Sequence, residues 1–347
     1  MDPSGDTTLR SWDRTILVTG GAGFLGSHFV RLLRRERPRW RVVTYDALTH
    51  GGMLSNLVEL EGDEGHVVIQ ADLRNRAELT RVLRKCDGVV NFASDNPVHG
   101  VEPDVGHMTA VNVAGVQHLL DCCREAPGIR RFVQVSTEEV YGRLPLNDSS
   151  TTFTEDSPLH PRTPWAATRA AGDLLALSYA ATFSLPVVVT RGARTMGPNQ
   201  SPGCLLPRVI IALLERGRAA VPGDGRTRRD WLHVADHCAA ILAALEKGEP
   251  GQVYNVTAGM VQSDLALLEE TVALLCIEDA RIDTVPEKSS EPTRPGMDGS
   301  KITRELGWSP ERTEWPRALA ETIKWYQMNE WWWKPLVHGA AAIKRGA

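Results

Sequence analysis

The chain has 347 residues and a formal net charge of −4, with acidic and basic residues interspersed, which excludes a basic stripe and argues against nucleic acid as a partner. Its length suits one large domain or two closely packed ones. Residues 1–14 are polar and are expected to be flexible; with no apolar secretory run, and no stretch of about 18 apolar residues anywhere, a cytoplasmic protein without membrane association is expected.

From Thr15 to about Thr190, apolar runs of strand length alternate with helix-like segments, the pattern of βαβ units. Strands are predicted at 16–19, 41–45, 66–69, 88–92, 131–135 and 185–190, and their continuous Val/Ile character suits a parallel sheet covered on both faces. The predicted fold is α/β, a doubly wound parallel sheet of Rossmann type over residues 15–191. A smaller C-terminal substrate region follows at 192–347, sharing some sheet elements and folding over the sheet's carboxyl edge. Within it, 252–256 reads as a short strand, 265–276 and 315–328 as helices, and 287–300 as a loop rich in proline and glycine. The basic run 31–37 reads as the solvated face of a helix, and 226–229 as a second basic cluster. Cys86, Cys122, Cys123, Cys204, Cys238 and Cys276 show neither CxxC nor paired zinc-ligand spacing, so reduced thiols and no metal site are expected.

The first predicted strand ends in Thr19-Gly20-Gly21-Ala22-Gly23-Phe24-Leu25-Gly26, and a helix-like segment follows. Glycines at 20, 23 and 26 permit a tight turn and a close approach of backbone N–H groups to a pyrophosphate, while the helix N-terminus favours negative charge. The second strand ends in Asp46, whose carboxylate suits ribose hydroxyls and repels a 2′-phosphate, so NAD is expected over NADP. Gly20, Gly23, Phe24, Leu25, Gly26 and Asp46 are therefore candidate cofactor residues. Asp72, after the third strand, is either an acceptor for the adenine amino group or a turn residue.

Several further motifs occur in order: Val135-Ser-Thr-Glu-Glu-Val-Tyr-Gly142, Phe153-Thr-Glu, Gly223-Asp-Gly, Arg229-Asp-Trp-Leu-His and Ile302-Thr-Arg-Glu-Leu-Gly-Trp308. With the glycine-rich turn they resemble the dTDP-glucose 4,6-dehydratases, extended short-chain dehydrogenases/reductases, over nearly the whole chain. The tail around Trp325, Tyr326 and Trp332 to Leu336 is similar to bacterial members that serve antibiotic-sugar pathways. The resemblance implies bound NAD, a nucleotide-sugar substrate, and a homodimer paired through the helices at 105–123 and 164–181. It also implies catalysis by a Tyr-xxx-Lys pair, in which the tyrosine takes the C4 hydroxyl proton and the lysine holds the nicotinamide ribose, together with a Thr-Asp-Glu run.

Thr137 and Glu139 match that run, and Glu138 stands where the family carries aspartate. The Tyr-xxx-Lys positions read Trp165 and Arg169. Indole is a donor only and does not ionise. Arg169 keeps a cation for cofactor and catalysis, but as a planar fork that stays protonated. Tyr141 is either a substitute base or a packing residue, and His99 either a base or a hydrogen-bonded loop histidine. On the substrate side, the family's phosphate-facing lysine is replaced at Cys204, and several residues that carry a phosphate-binding arginine are missing between Asp298 and Ser300. Arg194 and Arg229 remain as candidates for an anionic substrate; Arg229 is alternatively an ion-pair partner. Thr137, Glu138, Glu139, Trp165 and Arg169 form the candidate catalytic set. The chain is expected to be an NAD-binding, dehydratase/epimerase-like enzyme with a non-standard reaction or substrate. The alternative is a catalytically inactive homologue acting as a partner or scaffold; an ordinary 4,6-dehydratase conflicts with Trp165.

Overall fold

The computed structural model describes residues 12–49, 51–96, 103–286 and 292–344, with side chains described to residue 338. Seven strands form the main sheet: β1 (Arg14–Thr19), β2 (Trp40–Asp46), β3 (His66–Gln70), β4 (Gly88–Asn91), β5 (Arg131–Thr137), β6 (Val187–Gly192) and β7 (Val253–Val256). Their order is β7-β6-β5-β4-β1-β2-β3, and every pairing is parallel. The doubly wound sheet expected from the alternation is therefore present. The order reverses between β1 and β4, which opens a crevice at the carboxyl ends of these strands.

Successive side chains on a strand face opposite ways, so each strand feeds two cores. Ile16, Val18, Val42, Val90 and Val133 pack with Phe29, Leu33, Ile241 and Leu245 of the helices Phe24–Glu36 and Val234–Lys247. Leu17, Val43, Val89, Phe132 and Val187 pack with Leu79, Leu120 and Ala176 on the other face. This two-sided burial explains the uninterrupted Val/Ile runs. The Pro164–Phe183 helix, which carries two candidate residues, begins where the Thr163 hydroxyl accepts from the Ala166 N–H and Pro164 occupies the first turn; it ends at Ser184 in the left-handed region.

The segment expected as one helix at 105–123 is not regular. An α-helix over Val105–Thr109 widens into a π-type stretch, Ala110–Gly115, before Val116–Glu125 resumes. The extra residue in that turn presents Asn112, which accepts from the Asp95 N–H (2.7 Å) and donates to the Asp95 carbonyl and the Thr168 hydroxyl (3.0 Å each).

After β6 the chain builds a three-stranded sheet (Met260–Ser263, Arg228–His233, Arg194–Met196) and a two-stranded one (Arg218–Pro222 with Arg281–Val285) around Leu206, Ile210, Trp231, Trp315, Tyr326 and Trp333. The 252–256 strand returns to the main sheet as β7. Two parts of the expected 287–300 loop are ordered into elements: Thr293–Arg294 pairs with Leu144–Pro145, and Ser300 opens the helix Ser300–Leu306. A two-residue pairing with a partner about 150 positions away leaves no periodic trace; residues 287–291 lie outside those described. Asn56 ties the C-terminal helix Glu330–Lys344 to the glycine-rich turn, donating to the Ala22 carbonyl (2.9 Å) and accepting from the Trp332 indole (2.9 Å). Among the described residues no helix is long and apolar enough to cross a membrane, and no group of His, Cys, Asp and Glu is arranged to hold a metal ion.

Candidate functional site

The crevice is floored by a buried polar relay across the switch point: the Thr19 hydroxyl donates to Asn91 (2.5 Å), and Asn91 donates to Gln134 (2.8 Å). Above it runs the glycine-rich turn. Gly20 takes a φ of +66°, and a Cβ there would lie 2.6 Å from the Ala93 nitrogen; a Cβ on Gly26 would strike the Gly20 carbonyl. Gly23 precedes the helix Phe24–Glu36 without a side-chain cap, and Phe24 and Leu25 form its partly buried first residues. The result is a tight turn in which side chains at Gly20 and Gly26 would collide with backbone, leading into a helix N-terminus without a side-chain cap, which fits the phosphates of a dinucleotide.

Asp46, at the end of β2, accepts from the Ala22 N–H (2.9 Å) and the Leu48 N–H (2.8 Å). Burial raises its pKa, and those two donors oppose the rise. The carboxylate thus braces the glycine-rich turn and still has lone pairs for a ribose. Asp72 is engaged by Arg74 through two side-chain bonds (2.9 and 2.7 Å) and a backbone N–H, so it is a turn residue here with its carboxylate already partnered.

The candidate catalytic residues lie on both sides of β5. Thr137 ends the strand, and its hydroxyl accepts from the Glu139 N–H (3.3 Å), fixing the single 3-10 turn Glu138–Val140. Glu139 is paired with Arg194 (3.1 Å). Burial, with a further push from Asp230, raises the Glu138 pKa to about 8; Arg194 and Arg229 oppose it. The pair therefore presents a neutral carboxylic acid beside an ion-paired carboxylate. They line one cavity with Arg143, Arg194, Arg229, Arg294 and Phe153. Arg229 grips Asp264 through two bonds (2.5 and 2.7 Å), a largely buried ion pair in the cavity wall instead of a surface one.

Trp165 and Arg169 lie one helical turn apart in the first half of Pro164–Phe183, a helix packed against Glu138–Val140. Arg169 is 5% exposed and donates through Nη2 to the Val135 carbonyl of β5. Its Nη1 and the Trp165 Nε1 are both buried without a hydrogen-bond partner among the described residues. His99 lies outside the described residues. Tyr141 is fully buried and stacked on Phe153 with ring centroids 5.3 Å apart; its hydroxyl donates to Asn255 (2.7 Å) and accepts from Arg191 (2.9 Å). That is a packing and network position.

Sequence reasoning missed the charges beneath this site. Asp173, with no exposed surface, accepts from the Ser136 hydroxyl (2.9 Å) and from Arg191 Nε (3.1 Å). Burial raises the Asp173 pKa and Arg191 opposes it. The signal was present: Asp173 interrupts an alanine-rich helix, and Arg191 ends an otherwise apolar strand. Asp230, also missed, is buried with one oxygen unpartnered and the other accepting from Thr257; burial raises its pKa to about 6.

The profile of the NAD dependent epimerase/dehydratase family matches residues 16–257. A dTDP-glucose 4,6-dehydratase from Actinoplanes sp. is 38% identical over 323 residues, covering 92% of this chain and 99% of the relative. The low-salt glycan biosynthesis protein Agl12 of Haloferax volcanii is 39% identical over 300 residues, 85% of this chain and 93% of its own. Among solved structures, the dTDP-glucose 4,6-dehydratase DesIV of Streptomyces venezuelae, with NAD bound, superposes with a TM-score of 0.87 at 37% identity, covering 93% of this chain and 99% of its own.

Proposed function

The chain belongs to the NAD dependent epimerase/dehydratase family, and from that premise we propose that it transfers protons on a nucleotide-sugar-type substrate through Glu138 and Glu139, by a reaction that does not begin with oxidation of a sugar hydroxyl. Its cofactor is NAD, which when bound supplies a hydride acceptor and donor. Gly20, Gly23, Gly26 and the first turn at Phe24 and Leu25 would hold its phosphates, Asp46 its adenosine ribose, and Arg169 its nicotinamide end. Asp72 would reach the adenine only by sharing its carboxylate with Arg74. A cytoplasmic homodimer in bacterial sugar tailoring is the proposed setting, supported by relatives from Actinoplanes and Streptomyces.

The observation that carries this reading is the difference between the two adjacent glutamates. Burial pushes the Glu138 carboxyl up to about 8, so it is protonated at neutral pH, while its neighbour Glu139 is ion-paired with Arg194; a neutral carboxyl beside an ion-paired one can serve as an acid and a base. Glu138 gives its proton to a departing hydroxyl, which leaves as water. Glu139 takes a proton from carbon, a step feasible only beside a carbonyl. Thr137 fixes the turn that carries both, and Arg194 and Arg229 bias the cavity toward an anionic substrate. Trp165 has no lone pair to take a hydroxyl proton, so the carbonyl is not made by the usual tyrosine.

The test is exchange of carbon-bound hydrogen with deuterium oxide in a thymidine-diphosphate 4-ketosugar, followed by mass spectrometry. The wild type exchanges and Glu139→Gln does not, while dTDP-glucose leaves the cofactor spectrum unchanged. Absence of exchange in the wild type overturns the reading in favour of an inactive homologue serving as partner or scaffold. That second reading rests on one observation: neither Trp165 nor Arg169 can release or accept a proton at neutral pH.

A further inference from the structure

The arginines around the cavity differ in what their guanidinium groups have left to offer. Arg229 is closed on Asp264 by two bonds, and Arg294 uses Nε, Nη1 and Nη2 on Asp148, Pro295 and Thr151. Arg143 and Arg228 line the same cavity from exposed positions. Arg194 is placed differently. It stands beside the two glutamates with its side chain 29% exposed, and its one hydrogen bond runs from Nη2 to Glu139 (3.1 Å). Its Nε and Nη1 have no partner among the described residues, and neither is buried. The strand Arg194–Met196 fixes this direction, because alternate residues face opposite ways. The Thr195 hydroxyl meets the buried His237 ring (2.7 Å) and the Thr195 carbonyl accepts from Gln200 (2.7 Å), while Arg194 faces the cavity. Burial and the neighbouring Arg229 both work against the Arg194 charge, and Glu139 opposes them.

We propose that Arg194 is a specificity-determining residue for a carboxylate carried by the sugar itself, so that the substrate is a nucleoside-diphosphate sugar acid. This rests on the reading of Glu138 and Glu139 as the reacting end of the cavity and names the substrate class for that site. The reacting carbons of a nucleotide sugar lie across the ring from its diphosphate. The exposed Arg143 and Arg228 suit the diphosphate, whereas Arg194, in contact with Glu139, is matched to a group on the sugar. Glu139 takes one of the five guanidinium N–H groups, so a carboxylate can still pair with Arg194 through two parallel bonds. A hydroxymethyl group in the same place offers neither the charge nor the second acceptor oxygen. Glu138, neutral at pH 7, adds no repulsion against an arriving anion. A bound carboxylate draws on the guanidinium that now holds Glu139. The ion pair loosens, and Glu139 is released for the proton transfer assigned to it.

The test uses the NAD-loaded protein and three probes that share one nucleotide: thymidine diphosphate, dTDP-glucose and dTDP-glucuronate. The two sugars differ only in a hydroxymethyl group against a carboxylate. Calorimetry at one fixed ionic strength gives the three affinities. The wild type binds dTDP-glucuronate roughly 10- to 100-fold more tightly than dTDP-glucose. Arg194→Met removes that preference and leaves the affinity for thymidine diphosphate in place. Glu139→Gln takes away the carboxyl that competes for Arg194, so it tightens dTDP-glucuronate binding relative to dTDP-glucose, and it provides the result if the arginine variant fails to fold. Equal affinity of the wild type for the two sugars, or binding of neither, overturns the proposal, and so does a Glu139→Gln protein with no gain in the preference. A glucuronate preference that survives Arg194→Met also overturns it, because another cation then meets the carboxylate. An equal loss of affinity for all three probes in that variant does the same, because Arg194 then serves the diphosphate. The affinities do not depend on turnover: a carboxylate preference without deuterium exchange sinks the acid–base reading and leaves this site standing, and exchange without the preference does the reverse.

Discussion

Replacing Glu138 by glutamine removes an ionisable proton while keeping the side chain's size. With a pKa of about 8, Glu138 is about nine-tenths protonated at pH 7. Above pH 8 its acid form, and any rate that depends on it, falls about tenfold per pH unit. The amide has no such proton to give, so dehydration should drop about 10²- to 10⁴-fold and the alkaline limb should disappear. Asp230→Asn removes the like charge that helps to raise Glu138, and should move that limb to lower pH without abolishing the reaction. The assay is the pH dependence of product formation from a nucleoside-diphosphate 4-ketosugar. A wild-type limb near the ordinary glutamate range, or a Glu138→Gln protein of undiminished rate, would refute the assignment. Stability offers a second readout. Between the ordinary glutamate value and about 8, the folded chain holds a proton that the unfolded chain has released, so stability decreases as pH rises through that window. Denaturant titrations at its two ends should show the decrease in the wild type and a flatter response in Glu138→Gln.

Asp46→Ala should weaken NAD binding and relax its preference over NADP, because the carboxylate both opposes a 2′-phosphate and holds the Ala22 and Leu48 amides; equal calorimetric affinities of the wild type for both cofactors would contradict this. The protein should be a dimer by light scattering, paired through the 105–125 and 164–183 helices, where Val105, Leu174 and Phe183 are exposed; Leu174→Glu should shift it toward monomer, and a monomeric wild type would contradict the assignment. Asp173→Asn should cost about 3–5 kcal/mol in a denaturant titration, since it leaves the buried Arg191 without its counter-charge; a change below about 1 kcal/mol would show that Arg191 finds solvent or another partner.

What was legible in the sequence is what depends on neighbours along the chain. Strand β1, the turn at Gly20, Gly23 and Gly26, the following helix and Asp46 form one local unit, and each part announces itself by residue type. The alternation of Val/Ile runs with amphipathic segments carried the sheet. What escaped depends on distant pairings. The π-type turn at Ala110–Gly115 preserves apolar spacing well enough to pass for regular helix, yet it is what turns Asn112 toward Asp95 and Thr168. Asn56 reads as an ordinary loop residue until Trp332, 276 positions later, comes to rest on it. Asp173 meets Arg191 only because β6 lies beside β5 under the Pro164–Phe183 helix. At the candidate catalytic set, an indole donor at Trp165, where the resemblance implies a tyrosine, was visible as residue chemistry. That its indole N–H and the Arg169 fork lack partners required the fold.

The central claim is that this site moves protons beside a carbonyl and does not create one from an alcohol. The measurement that bears on it most directly is 4-ketosugar formation from dTDP-glucose by the wild type and by Trp165→Tyr/Arg169→Lys, at high substrate concentration. The account predicts none from the wild type and a slow, partial conversion by the double variant, which introduces a tyrosine and a lysine but leaves the surroundings of Cys204 and Asp298 unchanged. Conversion of dTDP-glucose by the unaltered protein at a rate typical of enzymes, on the order of 10 per second, would contradict it.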